Sequence, residues 1–576
     1  MIAAMPETRI ARDTWLFWLL AALVLAAGLG LRDPWPADEP RFALVAKQMV
    51  ESGDWLFPHR GDELYSDKPP LFMWTQAASY LVVRSWRVAF LLPSLLAALG
   101  TLWCVVDLGR RLWTRRTGLY AGYALLFALQ FTYQAKRAQI DPLVVFLITL
   151  GNYAFLRFLL RMRDDDGPPR WRWWLLGWFA AGLGTVTKGV GVLALAMLLP
   201  AAFAAWRGWP GMRASLRDRR ALLGPLAFAF AAALWLAPML LAALHGDDPA
   251  YRAYVHDILF RQTAQRYAAS WAHQQPPWYF LGVMATQWLP ALLALPWALP
   301  AWRRRLRRRD ARFLLPLAWW LLVLVFFSLP SGKRDMYILP ALPMVCLALA
   351  PLLPGIVRRR GARRLAFAFA LLLAALLAGL GAALLLPQGT LAAKLALERG
   401  LDAASLRAIA WVLLAMGAGA VAAIAWSGVR RAHLGLVAAL ASLWVLYGLF
   451  AYPLLDASSS SRDLMHEARV RIGVDAELGL VAWREQNLLM AEGPVQTFGF
   501  LRPDAEQLQA ASAWQAQAPA TRWLLVQAPA MLACVERAQA LPVGAANRRE
   551  WFLLPAASTA RCIAPAPAPA TQPERP

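Results

Sequence analysis

Residues 365–387 read LAFAFALLLAALLAGLGAALLLP, preceded by Arg358-Arg359-Arg360 and Arg363-Arg364. A hydrocarbon core roughly 30 Å thick takes about 20 helical residues, and this run meets that length without one charged side chain. It reads as a membrane helix with a basic flank. The pattern repeats along the 576 residues, of which 59% are hydrophobic and 16% charged, and the mean hydropathy is +0.43. These values exclude a soluble protein for most of the chain and place it among polytopic α-helical membrane proteins. The net charge of +24 does not point to nucleic acid, because the arginines sit in short clusters such as Arg303-Arg304-Arg305 and Arg307-Arg308-Arg309. Spacing of that kind reports topology.

Thirteen spans are expected, near 14–31, 88–108, 118–134, 142–160, 172–187, 189–206, 221–244, 278–300, 313–328, 336–353, 365–387, 407–427 and 433–453. The pair at 172 and 189 also reads as one long element broken at Lys188-Gly189. The first span is longer than a signal-peptide apolar region, so an anchor is preferred to a cleaved leader. Every second loop is basic: Arg110 to Arg116, Arg161 to Arg172, Arg207 to Arg220, Arg303 to Arg309, Arg358 to Arg364, and Arg430-Arg431. The positive-inside rule puts these loops and the N-terminus in the cytoplasm. The loops 32–87 and 245–277, the turns near 135–141, 188 and 329–335, and the C-terminal portion then lie outside.

All six lysines, Lys47, Lys68, Lys136, Lys188, Lys333 and Lys394, fall on that outer side. Lys47 and Lys394 suit simple snorkelling at helix ends equally well. The other four stand beside carboxylates or Gly-rich turns, where ammonium groups are suited to lipid phosphates.

The same side carries a charged hook, Asp38-Glu39-Pro40-Arg41, followed by Tyr65-Ser66-Asp67-Lys68-Pro69-Pro70. Carboxylates and cations gathered against apolar helices are a functional signal by default. To the hook add Lys136-Arg137 with Asp141, then His256, Asp257 and Arg261, then Lys333, Arg334 and Tyr337. The outer side has no nucleotide-sugars, so the energy for a reaction there arrives on a lipid. Carboxylates supply bases or metal ligands, while Lys and Arg neutralise a leaving phosphate.

After Tyr452-Pro453 the chain turns polar at Ser458 to Ser461, and short alternating units follow. Strands are expected at 479–483, 495–500, 523–527 and 551–554, with helices near 461–472, 503–515 and 529–540. This gives residues 1–455 as the transmembrane part, 456–562 as a small outer α/β domain, and 563–576, rich in Ala and Pro, as a disordered tail. Cys104 and Cys346 lie inside spans and read as packing residues. Cys534 and Cys562 share an oxidising compartment, so a disulfide between them is one of two readings, free thiols being the other.

In order and spacing the hook and the later turns resemble the bacterial lipid A aminoarabinose transferases and their relatives among the protein O-mannosyltransferase-like, GT-C type integral-membrane glycosyltransferases. The resemblance rests on Asp38-Glu39 and Arg41, Gly53-Asp54-Trp55 with Pro58, Asp67-Lys68-Pro69-Pro70, Lys188-Gly189, and Ser328 to Lys333 leading to Tyr337-Ile338-Leu339-Pro340. It covers most of the membrane part. It implies a polyprenyl-phosphate-linked sugar donor (undecaprenyl phosphate in bacteria), periplasmic transfer at the inner membrane, and inversion at the anomeric carbon. By the same resemblance Asp38 is the central carboxylate, with Asp141 and Glu39 as further catalytic candidates. Arg41, Lys68 and Tyr337 hold the donor phosphate, with Arg261 and Lys333 beside them. A divalent metal is implied on Asp67 and His256, although Asp67 stands where the family has Glu; a solvated loop histidine is the other reading of His256.

Three functions stay open. The first is transfer of 4-amino-4-deoxy-L-arabinose to a lipid A phosphate. The second is a relative with another sugar and a glycan, lipid or protein hydroxyl as acceptor. The third is a lipid transporter without catalysis, which the nearly charge-free spans disfavour.

Overall fold

The computed structural model describes residues 7–163, 167–212, 218–246, 248–260, 274–386, 389–399, 401–546 and 549–563. Each of the thirteen expected segments falls on helix, but among the described residues only eight helices are long and apolar enough to cross a membrane, or nine counting one bent pair. The others are shortened or interrupted, for local reasons. The segment at 118–134 divides into Arg115–Leu126 and Leu129–Ala135, with extended backbone at Ala128 between them. Pro290 stands at the 95° bend between Tyr279–Gln287 and Ala291–Arg307, where a missing N–H breaks the helical ladder. The segment at 336 begins as a 3-10 turn, Asp335–Ala341, before the helix Leu342–Leu349.

The break at Lys188 separates two elements. Helix Trp171–Thr187 ends there, Lys188 is extended (φ −163°, ψ 110°), and the chain returns as the 3-10 segment Gly189–Met197. The two arms press together so closely that a Cβ on Gly191 would lie 1.9 Å from the carbonyl carbon of Gly184. Only glycine permits that approach, and it leaves Lys188 at the apex.

The helix Glu39–Ser52 is too polar and short to span. Pro40 stands in its first turn, and Gly53 closes it in the left-handed region (φ 76°) with its N–H on the Met49 carbonyl, the usual terminator. Phe42, Val45, Ala46 and Met49, at helical spacing, bury against the membrane bundle. Ala43 and Leu44 bury on the other side, with Leu464, Leu478, Leu480, Leu525 and Leu553 of the C-terminal part. One helix therefore ties the two parts together.

That C-terminal part holds a five-stranded sheet. The strand Glu477–Val481 lies parallel to Val495–Thr497 on one side and to Arg522–Gln527 on the other, and Arg549–Leu554 and Leu541–Ala546 extend it antiparallel. Both faces are covered, as parallel strands require. Leu478, Leu480 and Leu525 face the membrane part, while Val481, Leu524 and Val526 face the helix Asp504–Ala516 through Leu508 and Ala511. Four of the strands occur where sequence alternation put them. Leu541–Ala546 escaped because it is a largely exposed edge strand containing Pro542, and an edge strand with one solvated face carries no burial pattern. The helix expected at 529–540 is instead two short 3-10 turns. Between those turns Cys534 is bonded to Cys562; Cys104 and Cys346 are buried free thiols.

Candidate active site

Four segments far apart in sequence meet at one end of the bundle. Asp38 stands immediately before the helix Glu39–Ser52, Asp141 in the first turn of Ile140–Leu159, Lys188 at the apex described above, and Arg334 and Tyr337 at the turn into Asp335–Ala341. The Arg334 guanidinium donates to Asp38 Oδ2 at 3.0 Å, and the Gln139 amide approaches the same oxygen at 3.4 Å. Lys188 Nζ donates to Asp141 Oδ1 at 2.7 Å and lies 5.0 Å from the Tyr337 ring centre. Arg41 sits 4.0 Å from Asp38 Oδ1. Burial alone would raise the Asp38 pKa, but Arg334, Arg41 and Lys188 outweigh it and hold the carboxyl below its ordinary value. Asp38 is thus ionised at neutral pH, with a one-third exposed arginine as partner.

A second row runs beside it. Arg41 Nε donates to Glu485 Oε1 at 2.9 Å, and the buried Arg60 reaches Glu485 at 3.7 Å and Asp67 at 3.6 Å. Arg60 also lies over the Phe500 ring at 3.9 Å. Lys68 Nζ donates to the Asp67 carbonyl at 2.9 Å. Counting both rows gives five cations (Arg41, Arg60, Lys68, Lys188, Arg334) and four carboxylates (Asp38, Asp67, Asp141, Glu485), a net charge of +1 for an anion to neutralise.

Other expected residues have different places. Glu39 is fully buried: Arg32 grips it in a two-bond fork at 2.6 and 2.9 Å, and the Trp35 and Ala138 N–H groups donate to it at 2.8 and 3.0 Å. It has no reach toward a substrate; it fixes the hook onto the turn at 138. Lys333 is buried with its ammonium donating to the carbonyls of Gln275 and Pro330, so it clasps two loops. Lys136, also buried, donates to the Ala27 carbonyl at 2.7 Å. Arg261 lies outside the described residues.

The segments that carry Asp67 and His256 meet through a hydrogen bond from the Ser66 hydroxyl to the Asp257 carboxylate. Asp67 faces Arg60, and His256 ends the helix Pro249–His256 exposed, its ring 5.4 Å from that of Phe260. Among the described residues no three of His, Cys, Asp and Glu converge. Among the described residues this pair is therefore offered no third ligand for a divalent ion.

The family model for dolichyl-phosphate-mannose-protein mannosyltransferases matches residues 67–238, a stretch that contains Asp67, Lys68, Asp141 and Lys188. An undecaprenyl phosphate-α-4-amino-4-deoxy-L-arabinose arabinosyl transferase of Pectobacterium carotovorum is 33% identical over 383 residues, 64% of this chain and 65% of that protein. One from Pseudomonas aeruginosa is 32% identical over 344 residues, 58% of each. Over these aligned stretches the chain is similar to aminoarabinose transferases. The alignments cover less than two thirds of these relatives' lengths. The crystal structure of ArnT from Cupriavidus metallidurans bound to undecaprenyl phosphate superimposes with a TM-score of 0.72 over 96% of this chain and 99% of that one, at 20% identity, a likeness of fold. Gln139, Arg60 and Glu485 join the site only in three dimensions. Glu485 had no sequence signal, whereas Arg334 stood one residue beyond a Ser-x-Gly-Lys motif and Lys188 within another.

Proposed function

We propose that the protein transfers a sugar from a polyprenyl-phosphate carrier to an acceptor on the periplasmic face of the bacterial inner membrane, with 4-amino-4-deoxy-L-arabinose and a lipid A phosphate as the pair. The observation that carries this reading is the convergence of Asp38, Asp141, Lys188, Arg334 and Tyr337 at one end of the bundle. It is supported by the names of the relatives, which act on undecaprenyl-phosphate-linked aminoarabinose. The proposed topology has thirteen spans, a cytoplasmic N-terminus, and the C-terminal α/β part as a periplasmic domain from residue 456.

In this reading the bond from the anomeric carbon to the carrier phosphate breaks as one to an acceptor oxygen forms, and the electron pair leaves with the carrier phosphate. Arg41, Lys68 and Lys188 neutralise that phosphate, Tyr337 donates to it, and Arg334 divides its N–H groups between it and Asp38. Asp38 orients the acceptor and stabilises positive charge developing on the sugar ring, and Asp141 holds Lys188 in place. The choice between acceptors follows from protonation. A general base works best with a pKa near the operating pH, and Asp38 is held below even an ordinary carboxylate, so it is a weak base. That favours an acceptor phosphate, already ionised, over a hydroxyl.

Mass spectrometry of lipid A from cells with and without the chain tests the pair: loss of an aminosugar on phosphate is expected, and unchanged lipid A refutes it. In membranes supplied with donor lipid, Asp38→Asn with wild-type transfer refutes the catalytic assignment.

A further inference from the structure

Away from the Asp38 centre, on the other side of the helix Glu39–Ser52, a cavity of about 190 Å³ opens between the membrane part and the C-terminal part. Its floor is Asp33, 1% exposed, which two arginines grip at once. Arg87 donates to its two oxygens at 3.1 and 3.4 Å, and Arg462 at 2.5 and 2.6 Å. Each guanidinium has five N–H donors, so both have donors left over, and their side chains are 46% and 44% exposed. The buried carboxylate sets two forks side by side with their outer edges toward the cavity. Lys47 adds an ammonium from the helix, one turn beyond Ala43, which also lines the space. Trp86 and Phe90 form an apolar wall.

Acidic groups lie near, among them Glu51, 3.8 Å from the Lys47 ammonium. Glu492 on the rim is 3.3 Å from His466. Asp456 lies behind Asp33, taken up by the Asp33 N–H and the Trp35 indole N–H at 2.9 and 2.8 Å.

Paired guanidinium forks with a nearby ammonium match a phosphate, whose oxygens accept parallel N–H bonds. The volume limits the guest: one water needs about 10–15 Å³ of such space, so the cavity is ample for a phosphate, yet it falls below the roughly 300 Å³ at which sites for drug-sized molecules begin. Position limits it further. Trp86 and Arg87 open Trp86–Leu112, one of the helices long and apolar enough to span, so the wall meets the membrane boundary, where lipid phosphates reside.

We propose that this cavity is a second anion site, separate from the Asp38 centre, that takes the phosphate-bearing headgroup of an anionic membrane lipid through Arg87, Arg462 and Lys47. Bound there, the lipid joins the C-terminal part, through Arg462, to the membrane part, through Arg87 and Lys47.

The test uses the purified full chain in detergent, titrated with dioctanoyl phosphatidic acid and, separately, dioctanoyl phosphatidylcholine, with native mass spectrometry counting the lipids retained. Removing both arginines would strand Asp33 in the interior, so the variants are Lys47→Gln and Arg87→Lys, which leave Asp33 paired. One surface cation is worth about 1 kcal/mol toward an anionic lipid, or about fivefold. Lys47→Gln is expected to weaken one phosphatidic acid event about fivefold, Arg87→Lys, which keeps the charge but loses the fork, to weaken the same event by a smaller factor, and both to leave phosphatidylcholine retention unchanged. Arg334→Gln, in the Asp38 centre, is expected to spare that event. Unchanged phosphatidic acid binding in both variants overturns the proposal. So does loss of the same event in Arg334→Gln, which would mean one site rather than two. Inorganic phosphate that displaces the lipid at equal concentration overturns the lipid assignment, because a free anion would then be the guest.

Discussion

Replacing Glu39 by Gln separates a scaffold carboxylate from a catalytic one. Glu39 is wholly buried and faces Arg32, itself 1% exposed, across two bonds of 2.6 and 2.9 Å, while two backbone N–H groups use its remaining capacity. The amide keeps the shape but removes the charge, and one of its ends becomes a donor where Glu39 accepted at every contact. Arg32 is left as a buried cation without a carboxylate, softened by the Trp35 and Tyr452 rings at 4.7 and 4.8 Å and by the Asp33 and Lys136 carbonyls at 2.9 and 3.1 Å. Removing one partner of a buried pair costs about 3–5 kcal/mol, a ~10²- to 10⁴-fold rise in the unfolded fraction. Thermal unfolding of the purified protein in detergent, followed by intrinsic fluorescence, is expected to show a clearly lowered midpoint, with transfer per folded molecule close to wild type. The double change Arg32→Met with Glu39→Leu, which removes both charges, is expected to recover most of the midpoint. A Glu39→Gln protein as stable as wild type but inactive would refute the scaffold role and restore the catalytic one that the sequence suggested.

Asp38 gives a pH prediction with a definite sign. Its folded pKa lies below the ordinary value of 3.8, so the interactions of its ionised form are complete above that value and disappear only as the pH falls through the lower folded one; a pH–rate profile with an acid limb near pH 6–7 assigned to Asp38 would contradict this. Glu485→Gln takes away the close partner of Arg41 and one partner of Arg60. Steady-state kinetics should show a raised KM for the donor lipid with a smaller change in kcat, and restoration by Glu485→Asp; an unchanged KM would count against the link. Cys534 and Cys562 close a loop of 28 residues, worth about 3–4 kcal/mol by loop-closure entropy. Cys534→Ala should therefore make the C-terminal part more open to limited proteolysis than wild type, and equal cleavage rates would refute that.

Much of the fold was legible because the signals that specify it are local. Run length and hydropathy located helix at all thirteen expected positions, and period-two alternation located four of the five strands of the C-terminal sheet. Interruptions were harder: the span reading passed over the bend at Pro290, the break at Ala128 has no residue signature, and an edge strand facing solvent has no burial pattern to read. The site was legible in outline for a similar reason. Asp38, Arg41, Lys68 and Lys188 belong to short motifs whose residues sit a few positions apart.

The roles within that outline came from contacts between distant segments. Arg334 reaches Asp38 across 296 positions and Glu485 reaches Arg41 across 444, separations over which spacing carries no information. Glu39 shows the limit most clearly. One residue from Asp38 and equally acidic, it points the opposite way along the first helical turn, into Arg32 rather than toward Arg334. By itself the sequence determined a membrane protein with a charged hook between apolar spans, because hydrophobic length and charge act residue by residue. Only the tertiary structure decided which of those charges meet one another and which face open space, because burial and pairing belong to the packed chain.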